Sequence, residues 1–133
     1  MSIPLVFIVD DDISVRTSLE GLIRALGYLV ESFSAPKDFL ESASIRDSVC
    51  LILDVQMPGL SGLDVQRRLV EQGIYLPIIF ITAFPDPSVR AKAISAGALA
   101  LLSKPFDVLR MVDLIEGVVS GLGCDLVNEG IST

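Results

Sequence analysis

The apolar run Phe7–Ile8–Val9 is followed at once by three carboxylates, Asp10, Asp11 and Asp12. Two carboxylates about 4 Å apart repel by roughly 4 kcal/mol at an effective dielectric near 20. Such a cluster either raises a pKa strongly or holds a cation. Three more reactive residues stand in the same kind of place, at the end of an apolar run: Asp54 after "VCLIL", Thr82 after "PIIFI", and Lys104, followed by Pro105, after "ALALLS". Taken singly, each has an ordinary reading. Asp54 before "VQMPG" can be a turn former, Thr82 a β-branched strand end, Lys104 a solvated charge and Asp12 a helix cap. Taken together they describe a site. The candidate ligands are all oxygens, with no His or Cys among them, so the cation they suit is hard. Mg²⁺ fits two carboxylates, a backbone carbonyl and several waters. A carboxylate beside Mg²⁺, an ammonium and a hydroxyl is a phosphoryl-acceptor arrangement. The Asp attacks phosphorus to form an acyl phosphate, the cations neutralise the transferring oxygens, and the hydroxyl bonds the new phosphoryl group.

The elements that must position these residues are legible as apolar runs at 5–9, 28–33, 49–53, 77–81 and 98–102. Near-continuous apolar runs rich in Val and Ile are expected of buried parallel strands. "YLVESF" at 28–33 is more mixed and suits an edge. Helical patterns fill the gaps. Over 13–26, Val15, Leu19, Leu22, Ile23 and Leu26 share one face, with Gly27 as the stop. Ser34 is placed to cap a second helix with Pro36 in its first turn. Ser61 and Asp64 have capping-box spacing for a third helix ending near Gly73. Asp86–Pro87 opens a fourth that ends at Gly97, and a fifth spans 107–121 with Val108, Met111, Val112, Ile115 and Val119 on its apolar face. Strands alternating with helices predict a parallel α/β sheet covered on both sides. In such sheets ligands bind beyond the carboxyl ends of the strands, where the reactive residues fall.

The bulk composition narrows the function classes. A chain of 133 residues, 51% hydrophobic, suits one domain with one core. A net charge of −7 argues against a nucleic-acid surface in this chain. Cys50 sits in an apolar run as a small hydrophobe, and it and Cys124 make neither a disulfide framework nor a zinc set. No apolar stretch approaches 18 residues and no signal peptide is visible, so a cytoplasmic protein without a membrane role is expected. The chain contains no histidine, which excludes a His-based triad, a His metal site and an internal phosphohistidine relay.

The ordered set "FIVDDD", "LILDVQMPGLSG", "IFITA" and "LLSKPF" resembles the receiver (CheY-like) domains of two-component response regulators over about residues 5–120. "VDDDISVRTSL" and "MPGLSGLDVQ" are most similar to the FixJ-type receivers of the LuxR-output class. The resemblance implies a three-layer α/β sandwich of the flavodoxin/CheY kind, with five helices and a five-stranded parallel sheet in the order 2-1-3-4-5. It implies a receiver domain over 1–122, with 123–133 as tail or start of a linker. Asp54 is then the phosphoacceptor. Asp11, Asp54 and the backbone carbonyl of Gln56 hold Mg²⁺ (Mn²⁺ can substitute), with Asp10 supporting through water. Lys104 contacts the phosphoryl group, Thr82 is the switch hydroxyl, and the Lys104–Pro105 peptide is cis. The implied partner is a sensor histidine kinase. Homodimerisation is expected on phosphorylation, through a face made by the fourth helix, fifth strand and fifth helix. DNA is reached only through an output domain not in this chain, and the only chemistry is the receiver's own phosphotransfer and dephosphorylation.

Two departures stand out. Leu101 occupies a position where the family usually has Tyr or Phe, which swings inward when the Thr moves. "AFPDP" at 83–87 replaces a small, Gly-containing loop, and its prolines restrict that loop. Phe84 and Gln56 fall at positions that tune aspartyl-phosphate hydrolysis, and a bulky Phe84 predicts a long-lived phosphorylated state. Other classes fit less well. A haloacid-dehalogenase-like phosphatase wants an acid where Gln56 stands, and a nucleotide module wants a Gly-rich loop where the acidic triplet stands. A degenerate receiver acting as a dimerisation module is the alternative that Leu101 leaves open.

Overall fold

The chain alternates strand and helix, and a computed structural model describes residues 3–121. In chain order the elements are β1 (Leu5–Val9), α1 (Ile13–Ala25), β2 (Leu29–Phe33), α2 (Pro36–Leu40), a 3-10 turn (Ile45–Asp47), β3 (Cys50–Asp54), α3 (Gly62–Glu71), β4 (Ile78–Thr82), α4 (Pro87–Ser95), β5 (Ala100–Ser103) and α5 (Val108–Val119). The expected domain boundary at 122, the tail 123–133 and Cys124 lie outside the described residues. All four strand pairings are parallel, in the order β2-β1-β3-β4-β5, the sheet order and helix number expected.

Alternation along each strand divides the core in two. Val6, Ile8, Ile52, Ile79 and Ile81 point to one face, where Leu19 and Ile23 of α1 and Met111 and Ile115 of α5 cover them. Phe7, Val9, Leu51, Leu53 and Phe80 point to the other, against Phe39 of α2, Val65 and Leu69 of α3 and Ala93 of α4. β1, β3 and β4 are covered on both faces, which is why they read as continuous apolar runs. β2 is the edge strand its mixed sequence predicts.

Side chains cap four of the five helices, and three of these caps are the ones expected from the sequence, that of Asp107 being additional. Asp12 accepts from the Ser14 N–H and Asp86 from the Ser88 N–H. Ser61 and Asp64 form a reciprocal capping box, and Asp107 accepts from the Leu109 and Arg110 N–H groups. The exception is α2. Ala35, not Ser34, is its N-cap and no side chain caps it, although Pro36 does open the helix. Two further expectations shift. β5 begins at Ala100 rather than 98, because Leu99 only feeds the sheet through its N–H to the Ile78 carbonyl at 2.8 Å. In α5, Val108 is exposed while Leu114 and Val118 join Met111 and Ile115 against the core. Val108 is the first residue of its helix, one full turn before the Met111–Ile115 contact begins.

α4 is held differently from its neighbours. Ala93 is its only fully buried residue. Two side chains on other elements or faces fasten it instead. Gln66 of α3 donates from Nε2 to the Ala93 carbonyl at 3.1 Å, and Arg90 of α4 donates from Nη1 to the Leu101 carbonyl of β5 at 3.0 Å.

Candidate functional site

The carboxyl ends of β1, β3, β4 and β5 carry the reactive residues onto one rim. Register sets this. Val9 pairs with Leu53, Asp54 with Ile81, and Thr82 with Ser103, so Asp10, Asp54, Thr82 and Lys104 end four adjacent strands. The Lys104 N–H donates to the Thr82 carbonyl at 2.7 Å, tying the last two ends together. The Lys104–Pro105 peptide is cis.

At the centre is an ion-paired group. Lys104 Nζ lies 2.8 Å from Asp10 Oδ2 and 3.3 Å from Asp54 Oδ2. Asp10 is 0% exposed and Asp54 3%. Asp10 Oδ2 accepts no directed hydrogen bond, so the ammonium meets it as a charge rather than along an N–H. One ammonium facing two buried carboxylates leaves the group short of positive charge. Asp11, exposed, brings a third carboxylate, and one oxygen from each of Asp10, Asp11 and Asp54 can lie within 4.8 Å of the others. This all-oxygen, net-negative donor set fits a hard divalent cation.

Electrostatics reports the same deficit. Burial, and then the charge of Asp10, push the Asp54 carboxyl up to about 6, against the Gln56 N–H and Lys104, which favour its ionised form. Burial acts to lower the Lys104 pKa, but the two carboxylates that face it, Asp10 first and then Asp54, outweigh it and leave the ammonium raised. Asp12 is held below the usual carboxylate range by its bonds from Ser14, as a helix cap rather than a member of the group.

The other expected site residues lie around this centre. The Gln56 N–H donates to Asp54 Oδ1 at 3.2 Å, and its side chain is exposed. Thr82 is 1% exposed, and its hydroxyl accepts from the Phe84 N–H at 3.1 Å. The Phe84 ring is 70% exposed. Leu101, 4% exposed, pairs with Phe80 in the β4–β5 ladder and belongs to the core beside Ala93 and Val89.

Among known proteins, a family model described as the response regulator receiver domain matches residues 6–116. The chain belongs to the response regulator receiver family. The chain is 44% identical to Nodulation protein W of Bradyrhizobium diazoefficiens over 116 residues, covering 87% of this chain and 50% of that one. It is 32% identical to the transcriptional regulatory protein FixJ of the same organism over 114 residues, covering 86% and 56%. Among solved structures, the response regulator StyR superposes with a TM-score of 0.81 at 37% identity, over 98% of this chain and 65% of that one. The chain thus spans about half the length of the curated relatives it matches. It is a receiver domain of a two-component signalling regulator, similar to transcription regulators, and its fold is CheY-like.

Sequence reasoning missed three residues of the receiver site. Arg16 of α1 donates from Nη1 to the Asp10 carbonyl at 2.6 Å. Gly62, the first residue of α3, lies so close that a Cβ there would fall 2.5 Å from the Asp54 carbonyl oxygen and 2.9 Å from the Phe80 ring. Its N–H donates to the Val55 carbonyl at 2.8 Å, docking the start of α3 under Asp54. Gln66, one turn further along α3, is the buried amide that reaches α4. Only Gly62 carried a signal, as a Gly directly after a capping Ser.

Proposed function

We propose that this receiver is a phosphorylation-dependent switch that accepts a phosphoryl group on Asp54 from a partner histidine kinase. The observation that carries the reading is the Asp10–Lys104–Asp54 group: one half-buried ammonium bridging two buried carboxylates at the end of the sheet. No histidine exists in the chain, so the donor is another protein or a small phosphodonor. Asp54 Oδ attacks phosphorus, the new O–P bond forms as the bond to the donor breaks, and Asp54 becomes an acyl phosphate. Lys104 moves its charge from the carboxylate to the phosphoryl oxygens. Thr82 turns its hydroxyl from the Phe84 N–H toward the phosphoryl group. Asp11, Asp54 and the Gln56 carbonyl would hold Mg²⁺, with Asp10 supporting through water, and Mn²⁺ serves in its place. The metal supplies charge neutralisation on the transferring oxygens.

The output is a population shift of the α4–β5–α5 face. The sparse packing of α4 supports this, since a helix held by few apolar contacts moves at low cost. Homodimerisation through that face, DNA control through an output domain beyond this chain, and a cytoplasmic setting complete the proposal. We assign the receiver unit to residues 1–122, with 123–133 leading on from it. Among the described residues, no helix is long and apolar enough to cross a membrane.

The test is intact mass after incubation with acetyl phosphate and Mg²⁺, for wild type beside Asp54→Ala. One phosphoryl adduct is expected on wild type only, and none when a chelator is added first. A folded wild type that gains no adduct would turn the assignment to a receiver acting by association alone.

A further inference from the structure

We propose that Arg16 is a positioning residue of the metal seat: it holds the peptide that presents Asp11. The inference rests on the magnesium reading above, and goes beyond it to a residue outside the acidic group.

Asp10 is fixed at every polar group it has. Its N–H donates to the Phe33 carbonyl at 3.1 Å, its Oδ1 accepts from the Asp12 N–H at 2.9 Å, and its Oδ2 faces Lys104. Its carbonyl lies beyond the last ladder pair of β1 with β3, Val9↔Leu53, where a neighbouring strand would otherwise supply the donor. Arg16 supplies it, at 2.6 Å. The same residue's backbone N–H takes the Asp12 carbonyl at 3.1 Å. Arg16 therefore grips the acidic triplet on both sides of Asp11, by side chain before it and by main chain after it. Asp11 is left with a fixed backbone and an exposed carboxylate.

The guanidinium has two consequences for a cation, and they oppose each other. Its positive charge repels the metal, so charge alone makes Arg16 an obstacle to binding. Its hydrogen bond pre-organises the ligand backbone, and partners that orient metal ligands are worth about 10- to 100-fold in metal affinity when removed. Positioning and charge therefore predict effects of opposite sign.

The measurement is Mg²⁺ affinity of the whole chain by calorimetry, for wild type, Arg16→Lys, Arg16→Gln and Asp11→Asn, each with its urea midpoint. Positioning predicts that R16Q binds Mg²⁺ about tenfold more weakly. R16K, with charge retained and one point donor in place of a fork, falls between R16Q and wild type. Amide hydrogen exchange at Asp11 and Asp12 should quicken in the same order without metal. R16Q binding as tightly as wild type, or more tightly, overturns the proposal and leaves only a charge effect. Should R16Q fail to fold, R16K decides, and affinity equal to wild type overturns it. A wild type that binds no Mg²⁺ overturns the magnesium reading and this inference together, whereas binding by wild type, lost in D11N and unchanged in R16Q, sinks this one alone.

Discussion

Asp54→Asn should make the metal-free receiver more stable at neutral pH. The buried Asp54 carboxyl is raised from an ordinary 3.8 to about 6, first by burial and then by the Asp10 charge. At about 1.4 kcal/mol per pH unit, ionising it in the folded state costs about 3 kcal/mol. The sign follows from which state holds the proton. Below pH 4 the carboxyl is protonated whether folded or unfolded. Between 4 and 6 the folded protein keeps a proton that the unfolded chain has released, so this contribution to stability drains away as pH rises. Above 6 both states are ionised and the full penalty is present. Asparagine has the shape of the protonated acid and never ionises. The assay is urea unfolding with a chelator, wild type beside D54N, from pH 4 to 8. D54N should gain about 3 kcal/mol at pH 8 and only a small fraction of that at pH 4. Adding Mg²⁺ should then stabilise wild type and leave D54N nearly unmoved. A gain of equal size at pH 4 and pH 8 would refute the electrostatic account, and a D54N protein weaker than wild type at pH 8 would refute it outright.

Further outcomes follow from the same geometry. Lys104→Met leaves Asp10 and Asp54 facing each other without a cation, and should lower stability at pH 8 by about 3 kcal/mol, less at pH 5 where Asp54 takes up a proton. Denaturation at the two pH values checks it, and an equal loss at both counts against the charge argument. Gly62→Ala should cost about 2 kcal/mol, since its Cβ would lie 2.5 Å from the Asp54 carbonyl oxygen. The matched Gly21→Ala, in open space on α1, should instead add about 0.5 to 1 kcal/mol, and like signs in the two melting curves would argue against the close docking of α3. Phe84→Ala should shorten the phosphoryl half-life several-fold if the ring hinders water at Asp54. Radiolabel loss over time decides it, and an unchanged half-life removes Phe84 from the account.

The fold was largely legible because its signals are local and redundant. A strand covered on both faces has no polar positions to break its run, so β1, β3 and β4 announced themselves. Asp and Ser caps mark helix starts by their own backbone bonds. α2 opens at Pro36 as expected but without the Ser34 cap, because a five-residue helix opened by proline needs no side-chain cap. Val108 was placed on the buried stripe because a helical wheel shows angle and not depth along the axis. The site divided similarly. Asp10, Asp11, Asp54, Thr82 and Lys104 have chemistry written in their residue types. Arg16, Gly62 and Gln66 act by reaching backbone atoms of other elements, and no spacing in one chain shows which carbonyl a side chain will find.

The two tethers on α4 have a consequence for how this surface can change over time. Because Gln66 and Arg90 hold the helix by carbonyl oxygens, and only Ala93 and the half-buried Val89 pack on the core, most side chains of α4 carry no duty to the fold. Substitutions at its exposed positions meet little stability selection. Such a face can acquire or exchange partners by mutation while the chemistry at the strand ends stays as it is. In this receiver the α4 surface and the carboxylate group at the strand ends are, in that sense, separately heritable.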